Sequence, residues 1–314
     1  PTQFIYGEVR KGGSITFVEA SGTENKILHQ IIVLAAHEVE EIGDIYFNDE
    51  VVSMSNENVI SAPFNGYAKV YKHIGDQTSE NDAFANSTAT LANTLQSETS
   101  VGPTFIGKGM AYIYCRFTYD QDAYVGGIPN VTAKIKGKKV VKTINGVDQT
   151  AAYSDNAAWC IKDFLQASYG LNDDSINYAT FEAAADICDD ATVLSDGTAQ
   201  FTMNGVISAQ EAIGDVLNRM MTTCGGTLFW GTGSWRLYAG DWIAPTKTLT
   251  MDDFRSGISL DTKVSMRDNF NGVRGTFIDK DNDFISTDYP QINSSAFLAD
   301  DNDVRTVYKF IFHF

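Results

Sequence analysis

The chain has 314 residues, of which 43% are hydrophobic and 20% charged, so it has enough apolar side chains to form a folded core. Lys and Arg number 23 against 40 Asp and Glu, and the net charge of −17 argues against a nucleic-acid-binding surface or a contact with anionic lipid. Residues 1–150 carry 12 Lys and Arg against 17 Asp and Glu, and residues 151–314 carry 11 against 23. The second half of the chain therefore holds most of the negative charge.

The cysteine pattern and the hydropathy exclude further classes of protein. Cys115, Cys160, Cys188 and Cys224 form no CxxC pair, which argues against a disulfide scaffold or a zinc knuckle. Free, buried thiols made in a reducing cytosol are expected instead. The longest uncharged apolar run, residues 31–36, is far shorter than the roughly 20 residues that span a bilayer.

The first 150 residues have the pattern of a β-rich region. Apolar runs rich in β-branched and aromatic residues predict strands at 15–18, 27–36, 45–47, 51–52, 67–71, 111–117 and 131–136. Asn145-Gly146 predicts a two-residue hairpin turn. Residues 76–100 are polar, and we interpret them as a surface excursion with a helix near 83–96.

The middle of the chain has the periodicity of helices. Ser154-Asp155 is expected to cap a helix that stops at Gly170, and a second helix carries residues 181–188.

The next helix has a start signal of its own. Ser208 and Glu211 have the spacing of a capping box, which predicts a third helix that ends at Gly225-Gly226. Strand signals follow, as a hairpin at 227–238 and as short strands at 258–260, 264–266, 273–278 and 307–314.

These patterns predict a β-rich α+β protein with three domains. Residues 1–152 would form a β-rich domain, residues 153–245 a mixed α/β domain that contains the helices, and residues 246–314 a further β-rich segment. Because the chain ends on an apolar strand, we expect it to be truncated or completed by a partner.

Two short motifs resemble metal sites but depart from them at required positions. His37-Glu38 begins like a zincin helix, yet position 41 holds Glu where the second His is needed, so an acidic strand end or turn is favoured. Residues 279–283 have acidic side chains at the first, third and fifth places of a calcium loop. The sixth place is Phe284 instead of Gly, so a charged hairpin tip is favoured.

Two side-chain clusters could form binding surfaces. Five lysines fall within nine residues: Lys134, Lys136, Lys138, Lys139 and Lys142. In so acidic a chain we expect them to pair with carboxylates of the same or a neighbouring subunit, and not with DNA. Three tryptophans cluster around the predicted hairpin: Trp230, Trp235 and Trp242. Buried core aromatics are the favoured interpretation, and a platform for stacking on sugars is the alternative.

The motifs of common enzymes are missing from the sequence. It contains no GxSxG elbow, no P-loop and no dinucleotide-binding GxGxxG, and only four histidines are available for acid–base chemistry. We therefore expect a protein that is not an enzyme. No catalytic residue, cofactor-binding residue or metal ligand is predicted, and no cofactor.

Several strings occur in an order that resembles one protein family. They are FIYGEVRKGG at 4–13, FVEASG at 17–22, AHEV at 36–39, GKGMAYIY at 107–114, GIPN at 127–130, KGKKV at 136–140 and SDNAAW at 154–159. Their order and gaps resemble the phage tail tip, or host-specificity, proteins of the lambda J type. The resemblance covers most of residues 4–171 and extends more loosely to 208–240.

The resemblance implies a fold, a location and partners. It implies β-barrel or sandwich domains like those of a baseplate hub, closed as a homotrimer at the distal end of the tail of a long-tailed phage. Made in the host cytoplasm and built into the virion, such a hub would contact the tail tube, distal tail proteins and the tape-measure protein. Genomic DNA would only pass through its lumen. The host receptor would be reached by a C-terminal region that this sequence lacks.

Two other functions remain open on the residues alone. The tryptophan cluster could belong to a carbohydrate-binding adhesin module of a tail fibre. His37-Glu38 could belong to a metal-dependent peptidase, although we expect no stoichiometric metal.

Overall fold

The computed structural model of the chain describes residues 3–77, 94–101, 105–194, 197–259, 270–282, 284–300 and 307–311. The chain forms two compact units, Pro1–Ala239 and Gly240–Phe314. Both combine strands with helices, and strands predominate, so the predicted β-rich α+β class is confirmed.

The first unit begins with a long series of strands. They are β1 (Gln3–Tyr6), β2 (Glu8–Gly12), β3 (Ser14–Ser21), β4 (Ile27–Ala35), β5 (Glu41–Phe47), β6 (Glu50–Val52), β7 (Met54–Ser55), β8 (Asn58–Val59), β9 (Ala68–His73), β10 (Ala111–Thr118), β11 (Val131–Lys136), β12 (Lys139–Val140), β13 (Thr143–Ile144), β14 (Val147–Asp148) and β15 (Ala152–Tyr153). A short helix, α1 (Thr94–Glu98), lies between β9 and β10.

Two antiparallel sheets enclose the main core. One has the strand order β3-β4-β10-β9-β8-β7 and the other β2-β11-β5-β6. The alternation along β11 shows how the sequence directs this packing, because Val131, Ala133 and Ile135 are buried while Lys134 and Lys136 point away from the core. The buried residues contribute to one cluster shared by both sheets.

The six-stranded sheet is also covered on its other face. Leu95 of α1 is fully buried against Ile31, Tyr71, Tyr112 and Tyr114, which lie on β4, β9 and β10. The end of the predicted surface excursion therefore packs onto the sheet. Residues 78–93, which include most of the helix predicted near 83–96, lie outside the described residues.

The second half of this unit carries the helices. They are α2 (Ala157–Tyr169), α3 (Tyr178–Cys188) and α4 (Ile213–Thr222), accompanied by the strands β16 (Gly205–Ser208), β17 (Thr227–Gly231) and β18 (Ser234–Tyr238). Helix α2 ends at Gly170 as predicted, with this residue in the left-handed conformation at a φ of 67°.

The N-cap of α2 differs from the prediction. Asn156 caps the helix, because its side-chain oxygen accepts from the backbone N–H groups of Ala158 and Trp159. Ser154 takes the supporting position, where its hydroxyl accepts from the backbone N–H of Asn156 at 3.3 Å. The N-cap therefore lies one residue beyond the predicted Ser154-Asp155 pair.

The predicted capping box at Ser208 and Glu211 does not start a helix. Ser208 ends strand β16, and α4 begins only at Ile213, after Ala212. The carboxylate of Glu211 accepts from the backbone N–H of Ser208 at 2.8 Å, so the expected contact closes a turn instead. Ser208 adopts the extended conformation because it pairs with Gln3 of β1.

The pairing of β1 with β16 connects the start of the chain to its middle. Phe4 lies opposite Ile207, and Tyr6 lies opposite Gly205. Strand β1 thus belongs to the same compact unit as the helices. The predicted domain limits at 152 and 245 stay predictions.

The second unit contains a three-stranded sheet. Strand β19 (Gly272–Asp279) pairs antiparallel with β20 (Ile285–Asn293) and parallel with β21 (Val307–Ile311), and helix α5 (Ser295–Asp300) follows β20. The strands predicted at 273–278 and from 307 onward are confirmed to residue 311. Residues 260–269, which include the strand predicted at 264–266, lie outside the described residues, and residues 258–259 are not in a strand.

Candidate assembly surfaces

The outer side of the four-stranded sheet is covered by ion pairs, and we call it the charged face. Lys134 pairs with Glu8 at 2.8 Å, and Lys136 pairs with Glu41 at 2.6 Å. These contacts raise the pKa of both lysines, with the hydrogen bond to the carboxylate as the largest cause, and the bond from Lys136 lowers the pKa of Glu41. The lysines meet carboxylates of their own chain, as predicted.

Arginine extends the charged face. The guanidinium of Arg10 lies 2.6 Å from Asp49 and stacks over the ring of Tyr46, 3.9 Å from its centroid. Both partners lie on or beside β5, so Arg10 ties β2 across β11 to the next strand.

A second polar contact, the polar joint, fixes helix α2 to the strands. The hydroxyl of Tyr6 donates to Asp163 at 2.5 Å, and Lys138 pairs with the same carboxylate at 2.6 Å. Burial is the largest cause that raises the pKa of Tyr6, followed by the negative charge of Asp163. Residues that are far apart in the sequence thus share one partly buried carboxylate.

The structure engages both ring nitrogens of His37 within the chain. Nε2 accepts from the backbone N–H of Ile5 at 2.9 Å, and Nδ1 donates to the carbonyl of Glu38 at 2.7 Å. Burial lowers the pKa of His37, which favours this neutral tautomer. The carboxylate of Glu38 pairs with Lys139 at 2.7 Å. In this arrangement His37 and Glu38 close a turn and hold the first strand.

The acidic stretch at 279–283 lies at the end of a strand pair. It connects β19 to β20, which is the predicted hairpin connection, and Asp283 lies outside the described residues. Within the described ranges, no three His, Cys, Asp or Glu side chains are close enough together to hold a metal ion. In the same part of the chain, no helix combines the length and the apolar character needed to cross a bilayer.

An exposed apolar surface lies on the β17–β18 hairpin, which we call the aromatic hairpin. Trp230 is 56% exposed and meets Trp235 edge to face at 5.7 Å. On the other face of the hairpin, Phe229 stacks on Tyr238 with ring centroids 5.6 Å apart. The prediction that all three tryptophans are buried in a core is wrong. Trp230 is exposed, and so is Trp242, which belongs to the second unit.

The inner side of the aromatic hairpin anchors it to helix α3. Leu237 is fully buried, and its backbone N–H donates to the hydroxyl of Thr180 at 3.3 Å. The carbonyl of Trp235 accepts from the backbone N–H of Asn177 at 2.9 Å. The hairpin is therefore held in place while its tip presents aromatic rings to solvent. The Phe229–Tyr238 pair was not predicted, although the positions of the two residues on opposite strands of a predicted hairpin indicate such a contact.

A further candidate surface is strand β3 at the edge of the six-stranded sheet, which we call the open edge. Ile15 and Val18 are more than half exposed on this strand. Ile15 borders a cleft of about 350 Å³ that is also lined by Ile32 and Ile128. Among the described strands, β3 pairs with β4 alone, so its second backbone edge is available for pairing.

Comparison with known proteins places the fold. No protein-family model matches the chain, and no curated protein matches it. Among solved structures, the chain is similar to a chain of one described as the virion of a native gene transfer agent particle. The TM-score is 0.56, and the match covers 99% of this chain and 67% of that chain. The sequence identity is 11%, so the likeness establishes a shared fold.

Proposed function

We propose that this chain is a structural protein of a phage-like virion. The observation that carries the proposal is the fold similarity to a chain of a gene transfer agent virion, which extends over 99% of the residues. The hydrogen bonds of His37 also favour a role that is not enzymatic. Both of its ring nitrogens are occupied within the chain, so the histidine whose motif resembles a zinc site is not free to bind a metal ion.

Within the virion we propose the role of a tail tip hub, as the resemblance to lambda J type proteins implies. Three copies would form a ring that joins the tail tube to the host-attachment apparatus and opens to pass DNA. The open edge and the aromatic hairpin support this role, since exposed strand edges and apolar side chains are typical of surfaces that bind another protein.

The charge of the chain fits a passage for DNA. A net charge of −17 would repel the phosphate backbone, and DNA contacts would release no counterions from a wall of carboxylates. We expect weak binding of DNA at physiological salt, and tight, salt-resistant binding would contradict the hub.

The location is tested by immunogold electron microscopy of tailed particles with an antibody against this chain. Gold at the distal end of the tail is the expected result. Antigen that remains free in the lysate, with particles unlabelled, would overturn the virion role. Gold elsewhere on the particle would keep the virion role and overturn the hub.

Self-assembly is tested by native mass spectrometry of the purified chain. We expect a trimer, and Val18→Lys should weaken it by placing a charge on the open edge. Val193 offers a matched control, because it has the same exposed fraction of 55% outside any strand. A trimer that survives Val18→Lys as well as Val193→Lys would remove the open edge from the interface.

A second candidate function rests on the aromatic hairpin. The exposed ring of Trp230 and the stacked pair Phe229–Tyr238 favour an adhesin module that holds a glycan. Titration of tryptophan fluorescence with host surface polysaccharide tests it. A saturable shift that Trp235→Ala abolishes would support the adhesin, and an unchanged spectrum would exclude it.

A further inference from the structure

The sequence contains four Asn-Gly pairs, which begin at residues 65, 145, 204 and 271. Three of these pairs are followed by Val, so Asn145, Asn204 and Asn271 have the same neighbours on their carboxyl side. In an Asn-Gly pair the backbone nitrogen of the glycine can attack the asparagine side chain with little hindrance, because glycine has no Cβ atom. Differences in reactivity between the three Asn-Gly-Val sites therefore have to come from the fold.

Asn145 and Gly146 form the tip of the hairpin that joins β13 to β14. Their φ angles are both positive, 51° and 75°, as in a type I′ turn. Both residues are exposed, and a Cβ atom on Gly146 would meet no other atom within 4 Å. In the part of the chain that the structure describes, no hydrogen bond holds the side-chain amide of Asn145 or the backbone N–H of Gly146. Each strand of the hairpin is only two residues long, so the turn can rotate at low cost.

The Asn-Gly pair at 204 is held on both sides. Oδ1 of Asn204 accepts from the backbone N–H of Glu8 at 2.8 Å, and Nδ2 donates to the hydroxyl of Thr202 at 3.3 Å. Gly205 is buried and lies opposite Tyr6 in the pairing of β1 with β16. The backbone rotation that attack requires would break this strand pair.

The Asn-Gly pair at 271 is buried in the second unit. The side chain of Asn271 is 3% exposed, and Gly272 begins β19 between Asn293 and Val307 of the two neighbouring strands. A Cβ atom on Gly272 would lie 2.6 Å from Oδ1 of Asn293. The fold therefore leaves little room for a ring that joins the two residues of this pair.

Asn65 is the intermediate case. It is exposed, like Asn145, but the backbone N–H of Gly66 donates to the carbonyl of Val59 at 3.4 Å. This nitrogen must leave its acceptor before it can attack, whereas that of Gly146 is already free to do so. The four sites thus differ in how firmly the fold holds the two reacting groups, and the pair at 145 is held least.

We infer that Asn145 is a self-modification site of the folded chain, at which the side-chain amide is lost and an aspartate or an isoaspartate is formed. The reactants are the chain itself and water. The inference depends on the hairpin tip alone, and it holds for the chain with or without a virion around it.

The reaction passes through a succinimide ring. Hydroxide removes the proton from the backbone nitrogen of Gly146, and this nitrogen attacks Cγ of Asn145. The new N–Cγ bond forms, the bond from Cγ to Nδ2 breaks, and Nδ2 leaves as ammonia after it takes a proton from water. A water molecule then opens the ring at either carbonyl, which gives aspartate or isoaspartate. The net reaction consumes one water and releases one ammonia.

The position of the site gives the modification a structural consequence. The backbone N–H of Asn145 donates to the carboxylate of Glu182 on α3 at 3.1 Å, which ties the hairpin tip to this helix. A carboxylate created at position 145 would repel that of Glu182. An isoaspartate also adds one carbon atom to the backbone of a turn whose geometry suits two ordinary residues. We expect the tip to leave α3, while Lys162 of α2 keeps its hydrogen bond to the hydroxyl of Thr143.

The test incubates the folded chain at pH 8 and 37 °C and follows the four sites by peptide mapping with mass spectrometry. Asn145 should be modified first, at least roughly tenfold faster than Asn204 or Asn271, because these two sites must first open locally. Asn65 should react at an intermediate rate. The isoaspartate at position 145 should accept a methyl group from isoaspartyl methyltransferase, and the reaction should slow at pH 6, where hydroxide is scarcer.

The unfolded chain is the matched control. In concentrated urea the three Asn-Gly-Val sites should react at similar rates, because their local sequences are alike. Glu182→Gln weakens the tie between the hairpin tip and α3 and should speed up the reaction of Asn145 in the folded chain. Asp186→Asn, at an exposed carboxylate of the same helix, should leave the rate unchanged.

Three outcomes would overturn the inference. It fails if the three Asn-Gly-Val sites react equally fast in the folded chain, since the fold would then select none of them. It fails if Asn145 stays intact in the folded chain for as long as the unfolded chain needs to react completely. Aspartate without any isoaspartate would exclude the ring. These measurements use the unsubstituted chain, so they decide the question even if Glu182→Gln does not fold.

Discussion

The charged face and the aromatic hairpin belong to the same compact unit, but their side chains differ in whether they have contact partners within the chain. On the charged face, Lys134, Lys136 and Arg10 each meet a carboxylate of their own chain. On the aromatic hairpin, Trp230 and Phe229 leave much of their ring surface in water. The first surface has its partners within the fold, and the second has apolar area that a partner could cover.

This difference separates surfaces that stabilise the chain from surfaces that are available for binding. A cluster of lysines in the sequence suggests a binding site, yet the structure neutralises it internally. The aromatic residues suggest a core, yet their rings reach the solvent. Substitutions in the sheets and the polar joint should therefore change folding, and substitutions in the hairpin should change binding.

The largest effect should come from acid, acting through the histidines of the sheets. Of the four histidines, His29, His37 and His73 lie on or next to these strands, and none lies in residues 205–240. Burial lowers the pKa of His73 to about 4, and burial also lowers the pKa of His29 and of His37.

A lowered histidine pKa means that the fold favours the neutral ring, so its contribution is complete above pH 6.5 and declines as the pH falls toward 4. For His73 alone the loss should reach about 3 kcal/mol of unfolding free energy at pH 4. Urea titrations from pH 7 to pH 4 measure it. His73→Phe, which keeps a ring next to Tyr112, should flatten the profile, and an unchanged profile would show that another group controls it.

The next effect concerns the polar joint. Asp163→Asn removes the charge that Lys138 and the hydroxyl of Tyr6 share, and we expect the unfolding free energy to fall by about 2 kcal/mol. Chemical denaturation monitored by circular dichroism measures the change. Glu50→Gln, at the exposed first residue of β6, is the control and should cost almost nothing. Equal effects of the two variants would contradict a structural role for the joint.

A smaller effect is expected on the charged face itself. Lys136 and Glu41 are both about half exposed, so water and salt screen their attraction. A double-mutant cycle of Lys136→Met and Glu41→Gln should give a coupling free energy below about 1 kcal/mol, and less in 1 M salt. A larger, salt-independent coupling would show that the pair is buried by assembly.

The smallest effect on stability should come from the hairpin tip. Trp230→Ser removes a ring that is largely exposed, so the unfolding free energy should change by no more than about 0.5 kcal/mol. The matched substitution Trp159→Ser, at a buried tryptophan of α2, should prevent stable folding. If Trp230→Ser were as damaging, the hairpin would be part of the core, and the comparison of the two surfaces would fail.

Local patterns predicted much of this fold. The alternation along 131–136, the turn at Asn145-Gly146 and the glycine stop at Gly170 each depend on neighbouring residues, and each is found in the structure. The pairing of the lysines was predictable because the sequence contains far more carboxylates than basic side chains.

Contacts between residues far apart in the sequence were not predictable from local patterns. The capping box of Ser208 and Glu211 is a valid local signal for a helix, but Ser208 pairs with β1 and lies in a strand. The exposure of Trp230 depends on how the hairpin packs against α3, which no short window of sequence contains. Helix packing and strand partners were the information that local patterns lacked.

The pairing of β1 with β16 has a consequence for synthesis. Gln3 leaves the ribosome roughly two hundred residues before its partner Ser208. At about 5–20 residues per second, the first strand waits on the order of ten seconds or more for its neighbour. During that interval His37 already holds Ile5, but the edge of β1 that pairs with β16 is open to other nascent chains on the same messenger. The translation rate and chaperone supply in the cell should therefore set how much of this protein reaches its native state.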